Sequence, residues 1–295
     1  MRQWTAEITV DEGLARRLIA RQFPDVEMGA LRLLGEGWDN TVWLVGERCV
    51  FRFPRRAVAV PGVEREIATL RRIAPLVPLP IPEPVFIGHA DEEFPWPFFG
   101  APYIAGREPL GLDHSARTGL GRPLAEFLQA LHSVSVDDEL PDDPMGRADM
   151  AIRVPKADEQ VAELEGEGLW RRPASVDRLF DAAVDLPRPK PTAIVHGDLY
   201  FRHLLVDDHD RLTGVIDWGD ICRGDPAVDL SVLWSLTPAG RREFLAVYPV
   251  SDEQLLRART LAFSLCATLA LYGHHEDRPA VKAEALSGLA RAATD

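Results

Sequence analysis

Three short runs near the start of the chain alternate apolar and polar residues: Leu31 to Leu34, Thr41 to Val45 and Cys49 to Phe53. A two-residue period predicts strands, and Gly35, Gly37, Asp39, Asn40 and Gly46 predict the turns that join them. Ahead of them, Leu14, Leu18 and Phe23 follow a capping-box pattern, Thr9-Val10-Asp11-Glu12. That spacing predicts a helix from about Asp11 to Gln22, stopped by Pro24. Val63 to Ile73 reads as a second helix with Ile67 and Leu70 on one face. Pro78, Pro80, Pro82 and Pro84 then force an extended path into a strand at Val85 to Ile87.

The pattern changes after Phe94 to Gly106, a stretch rich in Pro, Gly and aromatics that reads as a hinge. Leu124, Phe127, Leu128 and Leu131 form an apolar stripe at helical spacing. Residues 157–184 predict one or two amphipathic helices. Strands at Ala193 to Val195 and Leu212 to Ile216 bracket a polar segment. Asp225-Pro226 predicts a helix start, and Ser251 with Gln254 a capping box that opens a long helix ending near Gly273. The expected fold is therefore α+β and bilobal. Residues 1–104 form a small mixed β/α lobe, and residues 105–295 a larger, mainly helical one.

Composition narrows the function classes. The chain has 295 residues, 46% hydrophobic and 27% charged, which is ordinary globular usage. Its longest apolar stretch, around Leu261 to Tyr272, is shorter than the roughly 20 residues of a membrane span. The N-terminus lacks the apolar core of a signal peptide, and Cys49, Cys222 and Cys266 lie far apart without metal-ligand spacing. Reduced thiols and a cytoplasmic location are expected, with no membrane partner. A net charge of −13 argues against nucleic acid. Residues 136–167 hold eleven acidic side chains against Arg147, Arg153 and Lys156. They read either as a wall that attracts a cationic substrate or as a solvated helical face.

The chemistry concentrates in residues 196–229. His196-Gly197-Asp198 is followed five positions after Asp198 by His203, then by Asp217 after an apolar run, then by Asp229 in Asp225-Pro226-Ala227-Val228-Asp229. Phosphoryl transfer needs a carboxylate to hold the attacking hydroxyl and ligands for the ion that neutralises the phosphates. This ordered set resembles the aminoglycoside phosphotransferase family, antibiotic kinases of the protein-kinase-like fold, and the resemblance covers essentially the whole chain. It implies that Asp198 is the catalytic base, that Asp217 holds Mg²⁺, and that Asp229 braces the loop. His203 stands where most of the family has Asn. The kinases of the aminoglycoside 2''-hydroxyl and the macrolide kinases also carry His there, so the resemblance makes His203 a metal ligand; a structural hydrogen-bonding role is the alternative. His196 reads as structural.

Gly35, Gly37 and Asn40 lie in Gly35-Glu36-Gly37-Trp38-Asp39-Asn40, a turn able to bring amides close to phosphate. With Val50-Phe51-Arg52-Phe53-Pro54, it resembles the same two branches. The first lysine of the chain is Lys156. Arg52 thus takes the place where a kinase fold puts its phosphate-binding lysine, with Glu66 as the expected carboxylate partner and Glu64 as the other candidate. Tyr103 and Ile104, together with Phe99 and Ala101, are candidates for the base pocket of ATP or GTP. The implied activity is phosphorylation of a small-molecule hydroxyl, with an aminoglycoside the leading acceptor. A macrolide, or a metabolic alcohol such as choline or homoserine, is the rival. A nucleotide-binding regulator without transferase activity is the reading from another class.

Overall fold

The computed structural model describes residues 6–37, 39–135 and 140–294. The chain divides into two compact units: Met1–Leu76 with Pro80–Ala105, and Val77–Leu79 with Gly106–Asp295.

The first unit is built on helix α1 (Glu12–Gln22), strands β1 (Leu31–Glu36), β2 (Asn40–Val45) and β3 (Cys49–Pro54), helix α2 (Val60–Ile73), and strands β4 (Phe86–Gly88) and β5 (Phe98–Pro102). The strands form one antiparallel sheet in the order β1-β2-β3-β5-β4. Alternation along β3 separates the two faces. Phe51 and Phe53 join Leu18, Ile19 and Phe98 in the core beneath α1, while Val50 packs with Val63, Phe99 and Ala101 beneath α2. Arg52 is on that second face.

Two sequence expectations shift here. The helix cap is Asp11, whose carboxylate accepts from the Leu14 amide, and not Thr9. The stretch read as a hinge contains β5, whose Phe98, Phe99 and Ala101 are fully or almost fully buried. Proline and glycine density masked a strand that is buried from Phe98 to Ala101, as interior strands allow.

The second unit holds helices α3 (His114–Gly119), α4 (Gly121–His132), α5 (Met150–Gly166) and α6 (Ala174–Val184), then strands β6 (Ala193–Val195), β7 (Leu204–Val206), β8 (Leu212–Val215) and β9 (Cys222–Gly224). Helices α7 (Ala227–Leu230), α8 (Pro238–Val247), α9 (Asp252–His275) and α10 (Pro279–Thr294) complete it. The α4 stripe of Leu124, Phe127, Leu128 and Leu131 is wholly buried. Ser251 and Gln254 make the expected capping box at α9. By length and mean hydropathy α9 is sufficient for a membrane span, but 61% of its apolar window is buried inside the unit. It is the central core helix. β7 and β9 escaped the sequence pattern because each is only three residues long and borders polar positions.

Candidate active site

Two small strand pairs assemble the polar segment. β6 pairs with β9 through Val195 and Cys222, and β7 pairs with β8 through Leu204 and Val215. The second pairing continues one step, with the Ile216 amide donating to the His203 carbonyl at 2.9 Å. His203, at the end of a 3₁₀ turn, is thereby brought beside Asp217, although 13 intervening residues separate them in the chain. Asp217 adopts φ +65°, a left-handed conformation that costs a non-glycine residue energy and turns its carboxylate out of the β8 direction. The Trp218 indole, fully buried, donates to the Val215 carbonyl at 3.0 Å and holds that turn.

The preceding loop is anchored from beneath. Asp229 is fully buried and accepts from the amides of His196 (2.8 Å) and Gly197 (3.1 Å) and from His132 Nε2 (3.0 Å). Burial pushes its carboxyl up, but the bond and charge of His132, with the loop amide, more than offset this and hold it below the usual range. His132 Nδ1 in turn meets the Tyr248 hydroxyl at 2.9 Å. Gly197 has φ +88°, and a Cβ there would stand 2.3 Å from the Asp220 carbonyl oxygen, so only glycine fits. His196 is buried and its pKa is pushed down to about 4, so it is neutral at pH 7. Its Nε2–H donates to the Ile216 carbonyl at 3.0 Å, while Nδ1 accepts from the Asp198 amide at 3.2 Å. His196 ties the two loops together and holds Asp198 by its backbone.

Asp198 itself keeps a side chain that is 40% exposed. Desolvation raises its pKa to about 6; His203 opposes the shift, and the carboxylates of Asp220 and Asp217 add to it. His203 donates from Nδ1 to the Asp198 carbonyl at 2.7 Å. In the neutral ring the lone pair is then on Nε2, which faces Asp217 Oδ2 at 3.4 Å. Two electron-pair donors face each other there, and His203 and Asp217 would together hold a dication. One imidazole and one carboxylate also leave most of the coordination shell for phosphate oxygens and water, the habit of Mg²⁺. The residues fit the ion.

A cavity of 280 Å³ opens beside Asp198 within this unit, walled by the 197–199 loop, α5 and α9.

In the first unit, Arg52 Nε lies 3.3 Å from Glu66 Oε1, with Glu66 only 1% exposed. Of the two carboxylates considered for this pairing, Glu66 makes it. Gly35 is in β1 beside an irregularity in the β1–β2 register, and Asn40 opens β2. The Gly37 amide donates to the Asn40 carbonyl at 2.9 Å, and Arg55 Nη1 donates to the Gly37 carbonyl at 2.6 Å. Trp38 lies outside the described residues. The Tyr103 amide donates to the Arg48 carbonyl at 2.8 Å, extending the β3–β5 pairing, and Ile104 is half-buried beyond it.

Within the second unit, Asp198, His203 and Asp217 thus stand together on loops braced by Asp229. Residues 30–262 match the model of the phosphotransferase enzyme family, and the chain belongs to that family: it is a phosphotransferase. Among solved structures it is similar to wild-type aminoglycoside 2'-phosphotransferase-IIIa in complex with GDP, at 23% identity, covering 96% of this chain and 98% of the other, with a TM-score of 0.68. Macrolide 2'-phosphotransferase MphH from Brachybacterium faecium is also similar, at 23% identity over 95% and 98% of the two chains, with a TM-score of 0.63. Among characterised sequences, viomycin phosphotransferase of Streptomyces vinaceus is 42% identical over 55 residues, which is 18% of this chain. That match spans 19% of the relative's own length. A match to the uncharacterised protein YcbJ of Bacillus subtilis (strain 168), 42% identical over 65 residues and 22% of this chain, spans 21% of that relative.

Proposed function

We propose that the chain transfers the γ-phosphoryl group of ATP or GTP to a hydroxyl of a small molecule, with Mg²⁺. The observation that carries this reading is the convergence of Asp198, His203 and Asp217 above a loop clamped by Asp229. With a pKa near 6, Asp198 is ionised at pH 7 yet more basic than an ordinary carboxylate. In the reaction the acceptor oxygen bonds to the γ-phosphorus, the bond to the β–γ bridging oxygen breaks, and the nucleoside diphosphate leaves. The acceptor's proton passes to Asp198. Asp198 thus orients the hydroxyl and takes its proton, and positioning supplies most of the acceleration.

His203 Nε2 and Asp217 would hold Mg²⁺, which when bound neutralises charge on the phosphates. In the first unit, Arg52 is assigned to the nucleotide phosphates, with Glu66 setting the orientation of its guanidinium. Gly35, Gly37 and Asn40 shape the phosphate turn, and Tyr103 and Ile104 are assigned to the base. GDP and ATP complexes among the structural relatives support a nucleoside triphosphate donor. Relatives solved with kanamycin, gentamicin or streptomycin, and the macrolide kinases, make antibiotics the first acceptor classes to test, aminoglycosides ahead of macrolides. Three free cysteines support a reducing, cytoplasmic setting. The test follows label from γ-labelled ATP or GTP into acceptor, with Asp198→Asn as the control. Transfer that survives in the variant refutes the role of Asp198.

A further inference from the structure

The cavity beside Asp198 reverses the charge of the unit that encloses it. The acidic stretch at 136–167 was read above as either a wall for a cationic substrate or a solvated face. The structure resolves the choice for the described part. Asp158, Glu159, Glu163 and Glu165 on α5 and Glu167 at its C-cap are all exposed, and Asp158 and Glu167 engage Arg172 and the His274–His275 pair. Asp142 and Asp143 pair with Arg223 and Arg147, and Asp149 caps α5. Asp137, Asp138 and Glu139 lie outside the described residues. The cavity side of the same helix carries Arg153, Lys156 and Gln160, at i, i+3 and i+7, and so on one face.

Across from them α9 presents Leu261, Ser264, Leu265 and Thr268, again one helical face. Gln160 stitches the two walls, accepting from the Ser264 hydroxyl at 2.8 Å and donating to Thr268 Oγ1 at 2.6 Å. Of the cavity's carboxylates, Asp220 is engaged by Arg147 Nη2 at 2.5 Å, and that guanidinium also holds Asp143 at 2.7 Å. That cluster is internally matched. Arg153 instead spends its donors on carbonyls, with Nε to Arg147 (3.1 Å) and Nη2 to Met145 (2.9 Å). Among the described residues neither Arg153 nor Lys156 has a carboxylate within ion-pair distance. Two cations with no carboxylate in ion-pair distance therefore line the same small cavity as Asp198, the proposed base.

Resting on the reading of this site as a phosphotransferase, we infer that its acceptor is a small hydroxyl compound that also bears a carboxylate. The hydroxyl lies at Asp198 and the carboxylate at Arg153 and Lys156. A polycationic acceptor would bring like charges against both side chains, so this acceptor class departs from the aminoglycoside-first order that the structural relatives suggest. The cavity, of 280 Å³, has room for a short hydroxy acid. Leu261 and Leu265 would cover its carbon frame, and Gln160 and Ser264 its further polar groups.

The test uses a matched series of short ω-hydroxy carboxylates, their amides and the corresponding amino alcohols, with wild-type protein and Lys156→Glu. Lys156 is exposed, so the reversal leaves the packing of α5 intact. Binding is read by calorimetry and transfer by γ-labelled ATP or GTP. The carboxylate should bind and be phosphorylated with kcat/KM at least roughly ten-fold above the amide and the amino alcohol, the worth of one charge-assisted contact. Lys156→Glu should erase that advantage through KM. Nucleotide turnover with the amino alcohol preferred, with all three equal, or with no transfer to a carboxylate overturns the inference and leaves the phosphotransferase reading standing. Carboxylate binding that Lys156→Glu abolishes, with no turnover of nucleotide, sustains the binding site and overturns the phosphotransferase reading instead. A carboxylate preference unchanged in Lys156→Glu also overturns the inference.

Discussion

Asp198→Asn is expected to make the protein more stable while removing its activity. Asparagine keeps the shape of the carboxylate and removes the charge that burial and the neighbouring Asp220 and Asp217 penalise. Moving a carboxyl from 3.8 to about 6 corresponds to about 3 kcal/mol at 1.36 kcal/mol per pK unit. The side chain is 40% exposed, so solvent screening reduces the expected gain to about 1 kcal/mol. The sign follows from linkage. The folded pKa lies above the unfolded one, so the folded protein holds the proton more tightly. The contribution is stabilising at low pH, is withdrawn as pH rises from 3.8 to about 6, and is a constant penalty above that. Urea unfolding in EDTA should thus show the variant more stable by about 1 kcal/mol at pH 7.5, with the difference shrinking toward pH 4. In the wild type, kcat/KM for transfer should fall as pH drops below about 6. A variant equal to or less stable than wild type at pH 7.5 would refute the claim that Asp198 is held at an energetic cost.

His203→Asn offers an oxygen ligand where imidazole stands, and oxygen suits Mg²⁺ better than nitrogen does. The variant should keep Mg²⁺-dependent turnover within about ten-fold of wild type, whereas His203→Ala should lose roughly 10–100-fold in metal affinity or turnover. Wild-type protein should gain more from Mn²⁺ over Mg²⁺ than His203→Asn does, and an equal ratio in both would remove His203 from the ligand set. Glu66→Ala leaves the guanidinium of Arg52 beside a void in a buried setting, which should cost about 3 kcal/mol in chemical unfolding. Arg52→Ala should weaken nucleotide binding and Arg52→Lys should restore part of it; titrations indifferent to both would displace Arg52 from the phosphates.

Much of this site was legible because its geometry is local. The five-residue step from Asp198 to His203 and the β7–β8 hairpin that returns Asp217 are short-range, so residue order survives in the sequence and carries the family resemblance that implied their roles. Arg52 and Glu66 were readable through the same resemblance, with strand alternation giving the face of Arg52. What escaped depends on contacts far apart in the chain. His132 reaches Asp229 from α4, Tyr248 just past α8 holds His132 in turn, and no spacing in the sequence announces them. The charge of the cavity escaped too, because a net count over 136–167 hides where along α5 each charge lies. The sum is acidic, yet the part of α5 at the cavity carries Arg153 and Lys156. A helical wheel does not separate them from the acids, since Glu163 follows Lys156 by seven residues and shares its face. β5 was hidden by its prolines and glycine, which a fully buried strand tolerates when neighbouring rings fill the space; Phe51 leaves no room for a side chain at Gly100.

The central claim is that Asp198 hands a small-molecule hydroxyl to the γ-phosphate. Single-turnover transfer from γ-labelled ATP or GTP, run side by side for wild type and Asp198→Asn with nucleotide saturating, tests it most directly. Label is expected in the acceptor for wild type, at a rate at least about 100-fold above that of the variant, with nucleotide affinity of the variant within a few-fold of wild type. Equal transfer rates for the two proteins, with equal nucleotide occupancy, would contradict it.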